Sequence, residues 1–237
     1  VVVHLHAIEI LSYLVRKNCE EAINDKLSES DKYAFVSYCH PGAELAEHVF
    51  KAVDKNKNCN IVFLKNHGLV IAGETVEEVE QLLYGLLSRL VNIMTATVDV
   101  HDFFCDVDID SRLSQYGYSP VQELNLHSLS KIPKLLELVE NKWALFPDHV
   151  VFLGAKAFVG DIDYLVELLS QSESARPAFV FCRGVGTFQH ASLSRAQADQ
   201  LTCFYDVAIR QDDSSNLAVL SEENINALLS WDAEKYR

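Results

Sequence analysis

The 237-residue sequence has few of the features that mark membrane or nucleic-acid-binding proteins. No apolar run approaches the ~20 residues of a membrane-spanning helix, and the first residues do not resemble a signal peptide. Basic residues are scarce, because 20 Lys and Arg stand against 34 Asp and Glu, a formal net charge of −14 at pH 7. That balance argues against a nucleic-acid partner and disfavours anionic membranes. We therefore expect neither kind of partner.

Cysteine motifs are missing as well. The six cysteines are scattered along the chain and include no C-x-x-C pair. In a chain of this length, such a distribution favours reduced thiols and a cytoplasmic location over a disulfide framework. The sequence also lacks an initial methionine and begins inside a strand-like run, so we expect a further segment upstream of it.

What the sequence does contain is typical of a globular α/β protein. Hydrophobic residues make up 49% and charged residues 23% of the chain, which is enough apolar material for a sizeable core. Stretches with helical spacing alternate with short apolar runs, which predicts an α/β fold in layers. No internal repeat is evident. Helices are predicted over residues 7–17, 43–55, 74–90, 132–141, 162–170, 194–210 and 221–231, and strands over 1–6, 33–38, 61–64, 69–72, 150–153 and 178–182.

Two histidines lie one residue apart in the opening stretch, "VVVHLHAIEIL". Valine-rich runs favour strands, and side chains at i and i+2 of a strand point to the same face. His4 and His6 therefore project together, at a spacing that lets two imidazoles share one metal ion. The alternative is that one histidine packs in the core while the other contacts a nearby loop.

A third histidine lies in a tight turn between two short apolar strands. Asn66, His67 and Gly68 form this turn, and Asn and Gly supply the backbone freedom that it requires. Thr75 and Glu78 then predict a capping box at the start of the following helix. Two histidines on a strand and one on a turn would give three nitrogen ligands with an open position, the pattern of catalytic zinc. Spacing alone does not establish that the three converge.

Three segments resemble the class II aldolase/adducin family: "VVVHLHAIEIL", "HPGAELAEHVFKAV" and "VFLKNHGLVIAGETVEEVEQLL". Three others, "FPDHVVFLG", "RGVGTF" and "LLSWDAEKYR", resemble longer members related to the aldolase part of rhamnulose-phosphate aldolase/dehydrogenase proteins. The resemblance implies a layered α/β/α class II aldolase-like fold with a mostly antiparallel central sheet, plus a C-terminal α/β extension. It divides the chain into an aldolase/adducin-like domain at 1–97, a connector at 98–130 and the extension at 131–237.

The resemblance also implies a site and an activity. His4, His6 and His67 match the histidines that bind a divalent metal, usually zinc, in that family. The implied reaction is metal-dependent carbon–carbon cleavage of a sugar phosphate or a related hydroxy-carbonyl compound by way of an enediolate. The family's catalytic glutamate precedes the H-x-H, so it would lie upstream of residue 1, and Glu9 does not replace it. The resemblance further implies a homo-oligomer, with a tetramer favoured.

Several alternatives stay open at this stage. The chain fits a sugar-phosphate epimerase of the same family, or a non-catalytic interaction domain such as that of adducin. Asn66 either orients the metal site through hydrogen bonds or only forms the turn. The remaining candidates are interpreted as structural: His40 as a turn residue, His48, His101, His127, His149 and His190 as surface or loop residues, and Cys39, Cys182, Tyr33 and Tyr38 as core.

Overall fold

A computed structural model describes residues 1–28, 31–57, 59–91, 107–171 and 176–230 of the chain. These residues form two compact units. Within the described ranges, the first unit comprises residues 1–91, 145–147 and 210–230, and the second comprises 107–144 and 148–209. None of the helices in these ranges is long and apolar enough to cross a membrane.

Helices and short strands alternate along the chain, which confirms the prediction of an α/β class. The strands are β1 (Val2–Leu5), β2 (Tyr33–Val36), β3 (Ile61–Leu64), β4 (Gly68–Ala72), β5 (Tyr118–Pro120), β6 (Val159–Gly160), β7 (Phe179–Cys182) and β8 (Gly186–His190). The helices are α1 (Ile8–Leu14), α2 (Cys19–Asn24), α3 (Ala43–Lys55), α4 (Val76–Leu90), α5 (Val107–Ser114), α6 (Ser128–Lys131), α7 (Pro133–Asn141), α8 (Pro147–Leu153), α9 (Ile162–Ser170), α10 (Arg195–Ala208) and α11 (Glu222–Ser230).

The first unit contains a four-stranded sheet in the order β1-β4-β3-β2. Strand β4 runs antiparallel to both β1 and β3, whereas β2 is parallel to β3. Helix α3 connects the two parallel strands, because a parallel pair needs a crossover between its ends. The sheet is therefore mostly antiparallel, as predicted.

Both faces of this sheet are apolar, so its central strand β3 is buried along its whole length. Ile61 and Phe63 point to one face, where they pack against residues of α1, α2 and α4. Val62 and Leu64 point to the other face and pack with residues of α3. The alternation follows from the two-residue period of a strand. Because β3 is fixed from both sides, the turn that follows it has a rigid base.

Helix α4 begins after its predicted N-cap, Thr75, although its hydrogen bonds differ from those of a capping box. The Thr75 side chain accepts a hydrogen bond from the backbone N–H of Glu78 at 3.2 Å, as a helix N-cap does. The Glu78 carboxylate, however, accepts from the backbone N–H of Glu74 at 2.7 Å. The second bond thus reaches one residue further back than in a capping box.

The second unit contains its own four-stranded sheet in the order β5-β8-β7-β6. Strand β8 is antiparallel to β5 and β7, and β6 is parallel to β7. Helix α9 connects β6 to β7 and begins at Asp161, whose side chain accepts from the backbone N–H of Tyr164. The core of this unit is formed by buried residues that include Leu165, Val180 and Phe188.

The prediction of a strand over residues 150–153 is wrong, since these residues lie in helix α8. Pro147 at the first helical position and Asp148 in the first turn both favour a helix start, and a four-residue apolar run does not separate the two states. The division at residues 97 and 130 stays a prediction. Part of the predicted connector (92–106) and the end of the last predicted helix (Trp231) lie outside the described residues.

Candidate metal centre

His4 and His6 lie on and just after the edge strand β1. His4 pairs with Val70 of the neighbouring strand β4, and its side chain is exposed. His6 follows the end of β1 with a half-buried side chain. Both imidazoles therefore sit at the end of the sheet where β4 begins, next to the turn that joins β3 to β4.

His67 is the last residue of that turn. Strand β3 ends at Leu64 and β4 begins at Gly68, and these two residues pair across the turn. The backbone N–H of His67 donates to the Leu64 carbonyl at 3.0 Å and closes the turn. Asn66 adopts a φ of 52°, in the left-handed region that Asn tolerates better than most residues. The His67 side chain is buried.

The three imidazoles converge to one point. Each contributes a ring nitrogen, and these three atoms lie within 4.8 Å of one another. The ring centroids of His4 and His6 are 4.9 Å apart, those of His4 and His67 5.0 Å, and those of His6 and His67 5.2 Å. The Nε2 atoms of His4 and His6 are 3.1 Å apart. Zinc–nitrogen bonds of about 2.0–2.1 Å in a tetrahedron place two ligand atoms roughly 3.3 Å apart, so the spacing fits one ion.

The tautomer of His4 is set by the backbone of β4. Its Nδ1 lies 3.0 Å from the Leu69 carbonyl oxygen, which can only accept, so Nδ1 carries the proton and donates. Nε2 is then left with its lone pair toward the other two imidazoles. A hydrogen bond from the second ring nitrogen is the usual way in which proteins orient a histidine ligand.

Gly68 gives the histidines the space in which to meet. A Cβ atom at this position would lie 2.5 Å from the Leu5 carbonyl oxygen and 2.6 Å from Cδ2 of His6. It would also lie 3.3 Å from Cε1 of His4. Any larger residue would displace β1 or its histidines, so the glycine of the turn is a steric requirement of the cluster.

A three-nitrogen set of neutral imidazoles suits a divalent ion that acts on oxygen. The three residues would hold zinc or a similar ion and leave a position open on the exposed side of His4, as catalytic rather than structural sites do. Neutral ligands leave the ion's charge uncancelled, which is the condition for Lewis-acid chemistry. The donor set and its spacing thus fit the metal that the sequence pattern predicts.

An apolar pocket of about 240 Å³ opens beside His4. Helix α3 forms one wall through Leu45, Ala46 and Val49, and the sheet forms the other. Side chains of this kind exclude water and have no charge with which to bind a phosphate group. The pocket lining consists of His4, Gly42, Leu45, Ala46, Val49, Leu64 and Val70.

Asn66 connects the turn to distant parts of the first unit. Its side-chain Nδ2 donates to the Leu145 carbonyl at 2.8 Å and to the Ala218 carbonyl at 2.6 Å. The side chain is buried, so both donor hydrogens are used away from water. Asn66 thus forms the turn and also anchors it, and no sequence pattern points to partners 79 and 152 residues away.

Two histidines that the sequence suggested to be surface or loop residues are buried instead. His127 is 6% and His149 0% exposed. Burial lowers the pKa of His149 to about 3 and also lowers the pKa of His127, so both are neutral at pH 7. His149 packs edge-on against Trp143 and Phe204, with ring centroids 4.2 and 4.8 Å away.

The other candidates are placed as structural residues or on the surface. His48 is exposed on α3, and the Nδ1 atom of His40 lies 2.8 Å from the Pro41 carbonyl oxygen. Cys39 and Cys182 are buried, as expected of core residues. Burial raises the pKa of Tyr38 to about 12, so this phenol keeps its proton at neutral pH. His101 lies outside the described ranges.

The comparison with protein families points to the part of the chain that holds the three histidines. Residues 1–89 match the Class II Aldolase and Adducin N-terminal domain, a range that contains all three histidines. The uncharacterized oxidoreductase YuxG of Bacillus subtilis (strain 168) is 25% identical over 101 residues. That match covers 43% of this chain and 14% of YuxG, so the chain spans only a small share of that relative. No solved structure matches the chain.

Proposed function

We propose that the chain is a metal-dependent carbon–carbon lyase of the aldolase type, because residues 1–89 match the Class II Aldolase and Adducin N-terminal domain. Its substrate is a sugar phosphate or a related hydroxy-carbonyl compound, cleaved between the α and β carbons of its carbonyl group, with the β carbon released as an aldehyde. The observation that carries the proposal is the convergence of His4, His6 and His67, whose ring nitrogens lie within 4.8 Å of one another.

The chain's own residues would prepare the site for this chemistry. His4, His6 and His67 would hold the ion, and the hydrogen bond from His4 Nδ1 to the Leu69 carbonyl would leave the Nε2 lone pair available for it. A divalent metal bound there supplies Lewis-acid stabilisation of the negative charge that develops on substrate oxygens. The apolar wall of α3 beside His4 excludes water from one side of the reacting centre.

The location and the oligomeric state are proposed from the family resemblance and from the usual symmetry of enzymes. We propose a cytoplasmic homo-oligomer, with a tetramer favoured, because closed symmetry is the usual arrangement of soluble enzymes. A single species of one chain's mass in light scattering at micromolar concentration would contradict this. A sugar-phosphate epimerase would share the same metal chemistry, and product analysis separates it from a lyase.

The first test measures zinc. The parent chain, purified without chelator, should contain close to one zinc per chain, and His67→Ala should lose it, because two ligands do not retain the geometry of three. The exposed His48 on α3 supplies the matched control, since His48→Ala should keep the parent's zinc content. Equal zinc in the parent and in His67→Ala would remove the metal centre from the proposal.

The second test measures the reaction. The natural full chain, loaded with zinc, is incubated with a panel of ketose phosphates, and aldehyde release is followed with a coupled reductase. We expect cleavage that disappears with chelator and returns with zinc. A protein that binds zinc but neither cleaves nor epimerises any member of the panel would favour the non-catalytic, adducin-like alternative.

A further inference from the structure

The two sheets of the chain have the same topology. In each sheet, the second strand of a hairpin (β4 or β8) lies between the first strand of that hairpin (β3 or β7) and the earliest strand of the unit (β1 or β5). The strand orders are therefore β1-β4-β3-β2 and β5-β8-β7-β6. In each, a parallel strand completes the sheet on the far side of the hairpin, connected by one helix, α3 or α9. Each hairpin is also followed by a long helix, α4 or α10.

The register of the strands is the same as well. Ile61 pairs with Ile71 at the start of the first hairpin, and Phe179 pairs with Gln189 at the start of the second. Corresponding hairpin residues therefore lie 118 positions apart, from 61 to 179 and from 72 to 190. The first strands correspond with an offset of 116, because Val2 pairs with the residue at 72 and Tyr118 with the residue at 190.

Backbone hydrogen bonds outside the regular ladders and helices repeat position by position. Five backbone hydrogen bonds in the first unit have a counterpart in the second, with N···O distances between 2.8 and 3.1 Å. Their donors and acceptors follow the offsets of 116 and 118 with one exception, since Gly160 lies 124 positions after Val36. These two residues still hold the same place in their sheets, because Val36 pairs with Leu64 and Gly160 pairs with Cys182. In each pair below, the backbone N–H of the first residue donates to the carbonyl of the second. The bonds are His67 to Leu64 and Val185 to Cys182, Lys65 to Val36 and Arg183 to Gly160, Asn66 to Leu14 and Gly184 to Ser130, Ala72 to Asn60 and His190 to Ala178, and Gly73 to Val1 and Ala191 to Gly117.

The hairpin turns share their backbone conformation. Three residues connect the strands in each unit, and the middle residue has a positive φ, 52° at Asn66 and 70° at Gly184. The helical segments after the first strands also correspond. Ser12 donates its hydroxyl to the carbonyl three residues back at 2.7 Å, and Ser128, 116 positions later, does the same at 2.5 Å.

The metal-site positions, by contrast, are occupied by residues that do not form a ligand set. His4 corresponds to Pro120, and His67 corresponds to Val185 at the end of the turn. His6 corresponds to Gln122, two residues after Pro120. Proline and valine carry no side-chain donor atom for a metal. The cluster at His4, His6 and His67 is also the one three-residue set of ligand type within the described ranges.

A different side chain lies against the corresponding glycine. Gly186 takes the position of Gly68, and a Cβ there would lie 2.6 Å from Nδ1 of His127. Nδ1 accepts a hydrogen bond from the backbone N–H of Thr187 at 3.1 Å, so the ring proton is on Nε2, which donates to the Val121 carbonyl at 3.2 Å. Both ring nitrogens are thereby used within the protein, and neither offers a lone pair to an ion.

We propose that residues 117–208 are a second copy of the fold of residues 1–90, in which the metal centre has been replaced by the buried hydrogen bonds of His127. The chain then carries one metal-binding copy and one metal-free copy. The metal-free copy serves the fold and not the chemistry. The part of this proposal that concerns the number of ions rests on the proposed function of the first copy.

The test counts zinc ions and locates their effect. Native mass spectrometry of the full chain titrated with zinc should show one tightly bound ion, none in His67→Ala, and one in Val185→Ala, the matched substitution at the corresponding turn position. Hydrogen exchange with and without zinc should then show added protection at residues 1–14 and 60–73. Residues 117–130 and 178–191 should exchange at the same rate in both conditions.

The outcomes separate the two proposals. A second zinc that persists in His67→Ala, or zinc-dependent protection at 178–191, would overturn the metal-free copy and leave the first metal centre intact. A parent chain without any zinc would overturn the metal centre of the first copy and with it the count of ions, but not the repeated fold, which amide exchange tests separately. Rapid exchange at Arg183, Gly184 and Val185 in the native chain would contradict the repeated hydrogen bonds, because their amides are the counterparts of Lys65, Asn66 and His67.

Discussion

At the scale of single residues, the candidate centre depends on how the turn before β4 is fixed. The turn needs a residue that accepts a positive φ, which costs most L-amino acids roughly 1–2 kcal/mol. Asn66 meets this need and also donates both amide hydrogens to carbonyl groups from distant parts of the same unit. Asn66, the residue before His67, therefore both adopts the backbone conformation that the turn requires and anchors the turn through its side chain.

Substitution of Asn66 separates these two roles. Asn66→Gly keeps the conformation but loses both hydrogen bonds, so we expect a loss of stability of about 1–3 kcal/mol, the cost of leaving buried carbonyls without donors. Asn66→Ala should lose roughly 1 kcal/mol more than the glycine variant because of its Cβ. Urea unfolding of the three proteins measures both differences.

The zinc affinity of the same variants decides whether Asn66 orients the metal site. If the anchoring holds His67 in place, both variants should bind zinc roughly 10-fold more weakly or worse, the usual range for residues that position ligands. Parent-like affinity in Asn66→Gly would mean that Asn66 forms the turn and does no more. The two interpretations left open by the sequence are thus separated by one titration.

At the scale of elements, periodic helices were predictable, whereas short apolar runs gave both right and wrong predictions: residues 61–64 form strand β3 as predicted, but residues 150–153 lie in helix α8. Helices α3 and α9 match their predicted bounds because a repeated apolar stripe defines each of them, and Asp161 also caps the start of α9. Strand β8 was missed since its sequence, GTFQH, has little apolar alternation. The repeat that we propose is not evident in the sequence, because it consists of strand order, register and backbone hydrogen bonds, while the residues at the metal-site positions differ between the two units.

Some features of the candidate site could likewise be predicted from the sequence, and others could not. The H-x-H and the turn histidine could be selected from local pattern and family resemblance, since each motif is short and contiguous. The Leu69 carbonyl that sets the His4 tautomer, and the contact of Gly68 with β1, depend on which strand pairs with which. Strand pairing over more than 60 residues is a property of the tertiary fold, which local sequence patterns do not specify.

The close approach of β4 to β1 yields a prediction at this scale. Gly68→Ala should both destabilise the protein and weaken zinc binding at least ~10-fold, because the new Cβ would meet backbone at 2.5 Å and displace the strand that carries two ligands. Isothermal titration with zinc and urea unfolding measure the two effects.

Gly85, in the middle of helix α4, is the matched control. A Cβ at this position meets nothing within 4 Å, so Gly85→Ala should leave zinc affinity unchanged. Its stability should rise by roughly 0.5–1 kcal/mol, the helix preference of Ala over Gly. Unchanged zinc affinity in Gly68→Ala, with a normal loss in His67→Ala, would show that β1 can move without disturbing its histidines.

At the scale of the whole molecule, stability in acid depends on buried histidines that are not part of the candidate metal centre. Desolvation keeps His149 neutral and lowers its pKa to about 3, while free histidine titrates near 6.5. The unfolded chain therefore binds a proton below about pH 6.5 that the folded chain does not. The free energy of unfolding is fully retained above that pH and falls as the pH decreases toward 3, by up to about 1.4 kcal/mol per pH unit.

Replacing the imidazole by an apolar ring should remove this dependence. His149→Phe keeps an aromatic ring between Trp143 and Phe204, so whatever its stability at pH 7, its urea midpoint should decrease less than the parent's between pH 6.5 and 4.5. Chelator in all samples excludes a contribution from zinc, and the exposed His48→Gln should keep the parent's slope. A parent-like slope in His149→Phe would instead assign the acid sensitivity to other groups, such as His127, whose pKa is also lowered by burial.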